Sequence, residues 1–138
     1  MRGLLADVNV GGHLPSLRRL LNELGLLAIL NELSVEFATF PEVQVLPNID
    51  DRSLWARCQE LGWVLLTENR NDDGPDSLER TLADSWRVGD LPVITLGNKT
   101  RFERDRHYAL RAAADVAELL FGIAAGEYCD RPRTYVPR

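Results

Sequence analysis

Lysine, cysteine and long apolar runs are all scarce in this chain of 138 residues. Lys99 is the only lysine, so the positive charge is almost entirely guanidinium, a form suited to bidentate phosphate contacts. A GC-rich coding bias gives the same composition. There are two cysteines, Cys58 and Cys129. They lie far apart, show no metal-thiolate spacing and have no signal peptide before them, so reduced thiols in a cytoplasm are expected. No apolar run approaches the roughly 18 residues that a membrane span requires, and no membrane association is expected. The formal net charge of −5 excludes a protein that coats nucleic acid nonspecifically, because such binding depends on neutralising phosphates with Lys and Arg. It leaves room for an acidic metal pocket with a local arginine rim.

What is present is an alternation of strand and helix patterns. Residues 2 to 7 read as a buried strand, and Pro15 suits the first turn of a helix carrying Leu17, Leu20, Leu21 and Leu24 at helical spacing. Gly25 is a stop or break, with more helix from Leu26 to Leu33. A strand is expected over 34–40, while 41–47 reads as either strand extension or loop. Asp50 or Asp51 caps a helix whose apolar face is Leu54, Trp55, Cys58 and Leu61, ended by Gly62. Trp63 to Thr67 is a central strand, 69–75 a polar loop, 76–87 an amphipathic helix and Leu91 to Leu96 a further strand. A long helix follows from about Glu103 to Ala124. Residues 127–138 read as an irregular basic tail. Short connections between alternating elements predict one α/β domain over 1–138, three-layered, with a mostly parallel sheet of about four strands.

Two of these strands run into carboxylates: Leu4-Leu5-Ala6-Asp7 and Val64-Leu65-Leu66-Thr67-Glu68. If they lie parallel, their carboxyl ends share the edge where open α/β sheets hold ligands. Asp51, at a helix start, joins Asp7 and Glu68 as a third candidate, with Asp72 or Asp73 in the next loop as a fourth. Two carboxylates about 5 Å apart repel by roughly 3 kcal/mol at an effective dielectric near 20, so a cluster of them calls for a cation. Hard Mg²⁺ or Mn²⁺ fits such oxygen ligands, and the expected chemistry is metal-assisted phosphodiester hydrolysis. Each acid also has a plainer role. Asp51 is a helix cap, Glu68 a solvated strand end, and Asp73 with Gly74 a turn.

The segments LLADVNV, IDDRSLWARCQELGWVLLTENRN and LPVITL resemble the PIN-like nucleases, especially a small branch that opens with a strand ending in Asp-Glu-Asn-Leu. The resemblance covers about the first two thirds of the chain and rests on the order and spacing of short motifs. It implies a three-layer PIN-like domain with Asp7 as the first metal-binding acid, Asn9 as the asparagine of the opening motif, and Asp51 as the acid opening the helix. Thr67 matches the threonine before the third acidic site. There the pattern departs: the chain reads Thr67-Glu68-Asn69, with the acid displaced by one position. Strand alternation sends Glu68 to the other face unless the strand end is distorted.

The resemblance implies a metal-dependent endoribonuclease of the cytoplasm, often the toxin of a toxin–antitoxin pair. Asp7, Asp51, Glu68 and Asp72 are then the metal ligands, with Asn9, Thr67, Asn69 and Asp73 auxiliary. Arg70, Lys99 and Arg101 are candidates for contacting RNA, and Arg104 and Arg106 extend the same rim. The alternative is a PIN-like RNA- or protein-binding regulatory module with weakened chemistry, motivated by Asn69 and Asn71. A phosphatase with a strand-end Asp nucleophile is disfavoured because Asn9 stands where a second Asp is needed. The Leu-rich stretch from Leu17 to Leu33 leaves apolar positions for a homodimer contact or an antitoxin groove.

Overall fold

Three short, largely apolar segments and two half-polar ones associate into a single parallel sheet in the computed structural model, which describes residues 1–68 and 77–138. The strands are β1 (Gly3–Ala6), β2 (Glu36–Thr39), β3 (Trp63–Glu68), β4 (Val93–Leu96) and β5 (Arg133–Val136), in the order β2-β1-β3-β4-β5. All the pairings are parallel. The helices are α1 (Leu14–Glu23), α2 (Leu27–Glu32), α3 (Asp51–Leu61), α4 (Leu78–Ser85), α5 (Lys99–Arg104) and α6 (Arg106–Ala124). Among the described residues no helix is long and apolar enough to cross a membrane.

Parallel strands covered on both faces read as continuous apolar runs, and β1 and β4 are buried at every position. One face carries Leu4, Ala6, Val64, Leu66, Ile94 and Leu96 against α1, α2 and α6. The other carries Leu5, Leu65 and Val93 against Leu54 and Cys58 of α3 and Leu78 and Leu82 of α4. The result is the three-layer α/β architecture expected. Full burial of a leucine contributes about 1.5–3 kcal/mol, and Leu4, Leu21, Leu119 and Leu120 are each inaccessible to solvent.

Two expectations need correction. The sheet has five strands rather than about four, because part of the tail expected to be irregular is β5. In that strand Thr134 and Val136 are buried, while Tyr135 is exposed. Pro132 and Pro137 bracket it, and proline is tolerated at the ends of an edge strand. A short half-polar strand between prolines carries little periodic signal of its own. The long helix expected from about Glu103 is divided. Asn98 caps α5 by accepting from the Arg101 N–H at 2.9 Å, and Asp105 caps α6 by accepting from the Tyr108 N–H at 3.1 Å. The Tyr108 N–H, then the Arg101 guanidinium, hold the Asp105 carboxyl below its ordinary range. The segment left open at 41–47 contains a 3-10 turn at Pro41–Val43 and no strand.

Gly3 fixes how closely β2 approaches β1. A Cβ built there would stand 2.0 Å from the Glu36 carbonyl oxygen of the neighbouring backbone. Gly3→Ala must therefore push β2 outward, and we expect a loss of about 1–3 kcal/mol in urea unfolding, as for other overpacked sites. Hydrogen exchange should show the β2 amides losing protection first. Unchanged stability and protection would mean that the β1–β2 spacing is not set by this glycine.

Candidate functional site at the carboxyl edge

The chain leaves β1 to one side for β2, whereas β3 lies on the other side of β1, so the topology switches between β1 and β3. Open α/β sheets hold their ligands in the crevice outside the strand carboxyl ends at such a point. Asp7 is the residue that follows β1 there. Its backbone N–H donates to the Leu66 carbonyl at 2.8 Å, continuing the register in which Ala6 pairs with Leu66. Asp7 is only 4% exposed. The Thr67 hydroxyl donates to Asp7 Oδ2 at 3.1 Å, and the Val8 N–H donates to Oδ1 at 2.7 Å.

The register extends this row. Thr67 pairs with Thr95 on β4, and Thr95 with Tyr135 on β5. Partners in register share a face, so Asp7, Thr67 and Thr95 line up on the side covered by α3 and α4, above Leu5, Leu65 and Val93. Thr95 is fully buried, and among the described residues its hydroxyl has no hydrogen-bond partner. This residue was missed in the sequence. The signal was the echo between Val64-Leu65-Leu66-Thr67 and Val93-Ile94-Thr95, each a buried apolar run reaching threonine near its carboxyl end.

Glu68 does not join this row. β3 runs regularly through it, paired with Leu96, and alternation places it on the opposite, α1/α6 side. There its carboxylate pairs with Lys99 at 3.2 Å, and the same ammonium donates to the Asn9 carbonyl at 3.3 Å. Lys99 is thereby engaged with the protein itself, and Asn9 lies exposed in the turn after Asp7. Arg101 is held by Asp105 at 3.2 Å and stacks over the Tyr108 ring at 4.4 Å.

Asp50, not Asp51, caps α3, accepting from the Ser53 N–H at 2.8 Å and the Ser53 hydroxyl at 2.9 Å. Asp51 Oδ2 instead accepts from the Leu78 N–H at 3.0 Å, tying the first turn of α3 to the start of α4. Both helices start at the carboxyl edge, since each follows a parallel strand. Asn69, Arg70, Asn71, Asp72 and Asp73 lie outside the described residues. Among the described residues no three His, Cys, Asp or Glu side chains group as a metal site.

Cys58 lies in the α3 layer near Asp7. Burial, reinforced by the Asp7 charge, pushes its thiol up to about 12, so it stays protonated at neutral pH and is no nucleophile. A cleft of about 560 Å³ runs along β2, lined by Arg2, Phe37 and Trp63 among others, and includes neither Asp7 nor Thr67. No protein-family model matches the chain, and no curated protein or solved structure is significantly similar to it.

The two threonines make a contrasting pair. Thr67→Val takes a donor from a buried carboxylate and should cost about 1–3 kcal/mol. Thr95→Val removes a hydroxyl that is buried without a partner, so it should be neutral or stabilising. Urea titrations of both variants check this, and a Thr95→Val loss as large as that of Thr67→Val would show that the Thr95 hydroxyl is satisfied after all.

Proposed function

We propose that this protein is a PIN-like, metal-dependent endoribonuclease built around Asp7. The observation that carries the reading is a buried carboxylate at the β1–β3 switch point, oriented through both of its oxygens by Thr67 and Val8. A side chain that merely solvates a strand end has no need of such an enclosure.

The donors fit a hard divalent cation, Mg²⁺ or Mn²⁺, in kind: Asp7 and Asp51 are carboxylates standing at the same edge. Asp72 and Asp73 belong to the segment outside the described residues, and Glu68 faces away, paired with Lys99. Such a cation, when bound, activates water and offsets the charge that develops on a phosphodiester. The chain's own part is positioning. Thr67 and the Val8 N–H fix the rotamer of Asp7, and Asp51 anchors α3 to α4 across the crevice's outer wall. Lys99 secures the turn carrying Asn9.

A second reading, an RNA- or protein-binding module of the same fold without cleavage, is favoured by Glu68. Its regular strand geometry and its pairing with Lys99 withhold a carboxylate that the resemblance would assign to the metal. Calorimetric titration with Mn²⁺ separates the two. The nuclease reading expects saturable uptake by the native chain, with affinity cut more than about 100-fold in Asp7→Asn, beyond the loss typical of residues that only support ligands. RNA cleavage should vanish in the same variant while its circular dichroism is unchanged. Absence of Mn²⁺ uptake by the native chain would leave the binding module.

A further inference from the structure

We infer that the cleft between α1 and the α5–α6 corner is a binding site for a phosphate group of an RNA backbone. It encloses about 230 Å³, with Arg19 and His13 on one wall, Arg104, Arg106 and Glu103 on the other, and Phe102 beneath. Its charges are unequally engaged. Arg106 is spoken for by Glu23 at 2.6 Å. Glu103, which contributes negative charge to the walls, is turned to His13 Nε2 at 2.6 Å. Among the described residues Arg19 reaches only the Ser16 hydroxyl, at 3.5 Å, and Arg104 forms neither an ion pair nor a side-chain hydrogen bond. Elsewhere, Arg2, Arg52, Arg101, Arg131 and Arg138 have carboxylate partners, while Arg18, Arg57, Arg80 and Arg111 have none among the described residues but do not line this cleft.

Two exposed guanidinium groups lining one cleft, neither paired with a carboxylate among the described residues, repel each other, and an anion between them removes that cost. Planar guanidinium forks match phosphate oxygens particularly well. The volume is below the roughly 300 Å³ at which pockets for whole small-molecule ligands begin, so it suits a phosphate with part of its ribose. The cleft starts at His13, in the turn that leads from Asp7 into α1. A strand of RNA seated there runs on toward the carboxyl edge. The choice of RNA over a free anion rests on the nuclease reading; the anion chemistry of the cleft does not.

The test is fluorescence anisotropy with a short labelled single-stranded RNA and the full chain in EDTA, where metal-dependent cleavage does not intervene, repeated over a series of NaCl concentrations. Arg19→Gln combined with Arg104→Gln should weaken binding by about tenfold or more, the scale of lost charge-assisted hydrogen bonds. It should also lower the slope of log K against log salt by about 0.7, one single-strand phosphate fewer. Arg111→Gln, an exposed charge elsewhere on α6, should change neither. Equal binding by the double variant, or an equal loss in Arg111→Gln, overturns the site. Calorimetric binding of inorganic phosphate that depends on Arg19 and Arg104, with RNA affinity indifferent to both, overturns the RNA assignment. Failure of the nuclease reading shows in Mn²⁺ uptake and turnover, and failure of the cleft shows in the RNA affinity of the arginine variants measured in EDTA.

Discussion

The parallel pairing of β1 with β3 is the constraint on which the carboxyl edge depends. The register that sets Ala6 beside Leu66 delivers the Asp7 N–H to the Leu66 carbonyl and brings the Thr67 hydroxyl within 3.1 Å of the Asp7 carboxylate. A slip of one residue would turn the strand over and send the Leu5 and Leu65 set to the other layer. The two apolar cores therefore hold the polar row in place from below. Most of the binding energy of the sheet lies in leucine and valine side chains that never touch the site, yet their alternation decides which side chains at the strand ends meet.

The same alternation separates Thr67 from Glu68. They are neighbours in sequence but face different layers, one joining Asp7 under α3 and α4, the other joining Lys99 on the α1 side. Chemistry that needs two carboxylates at one point must draw the second from outside β3. Asp51 stands in the first turn of α3: Asp50 takes the capping role, and Asp51 bonds the Leu78 N–H of α4. A single acidic residue there would have had to choose between capping one helix and fastening two together. The pair divides the work.

Much of this was legible in the sequence because it is written in strong local signals. The buried runs ending at Asp7 and Glu68, the helix ended by Gly62 with its φ of 83° and the Leu91 to Leu96 strand all carry clear periodicity or turn chemistry. The displacement of Glu68 to the other face also follows from period two alone. What was not legible depends on partners distant in sequence. β5 opens on two polar residues, Arg133 and Thr134, and gains its identity by pairing with β4 and by Arg133 engaging Glu79 of α4. The division between α5 and α6 turns on one aspartate that looks like any charged residue on a solvated helix until its carboxylate is seen accepting from the Tyr108 N–H. Lys99 looked available to a substrate because nothing local reveals that Glu68 and the Asn9 carbonyl already hold it, whereas the Arg101–Asp105 pair stands at a spacing of four that the sequence displays.

An acidic chain has few free cations to offer a polyanion. With 21 acidic residues against 16 lysines and arginines, a cation on the surface is usually close to a carboxylate. The partly exposed ion pairs that result contribute little stability, of order 0–1 kcal/mol each, but each removes a cation from the pool able to meet phosphate. On the proposed RNA-binding reading, affinity is governed by which guanidinium groups escape pairing rather than by net charge. Exposure alone does not identify them: Arg101 is exposed and engaged, whereas Arg19 and Arg104 are exposed and face a cleft without a carboxylate partner. Lys99 illustrates the opposite use of charge. As the only lysine in the chain it spends its ammonium on Glu68 and the Asn9 carbonyl, joining the end of β3 to the turn after β1. Its contribution is to hold the end of β3 to the turn after β1.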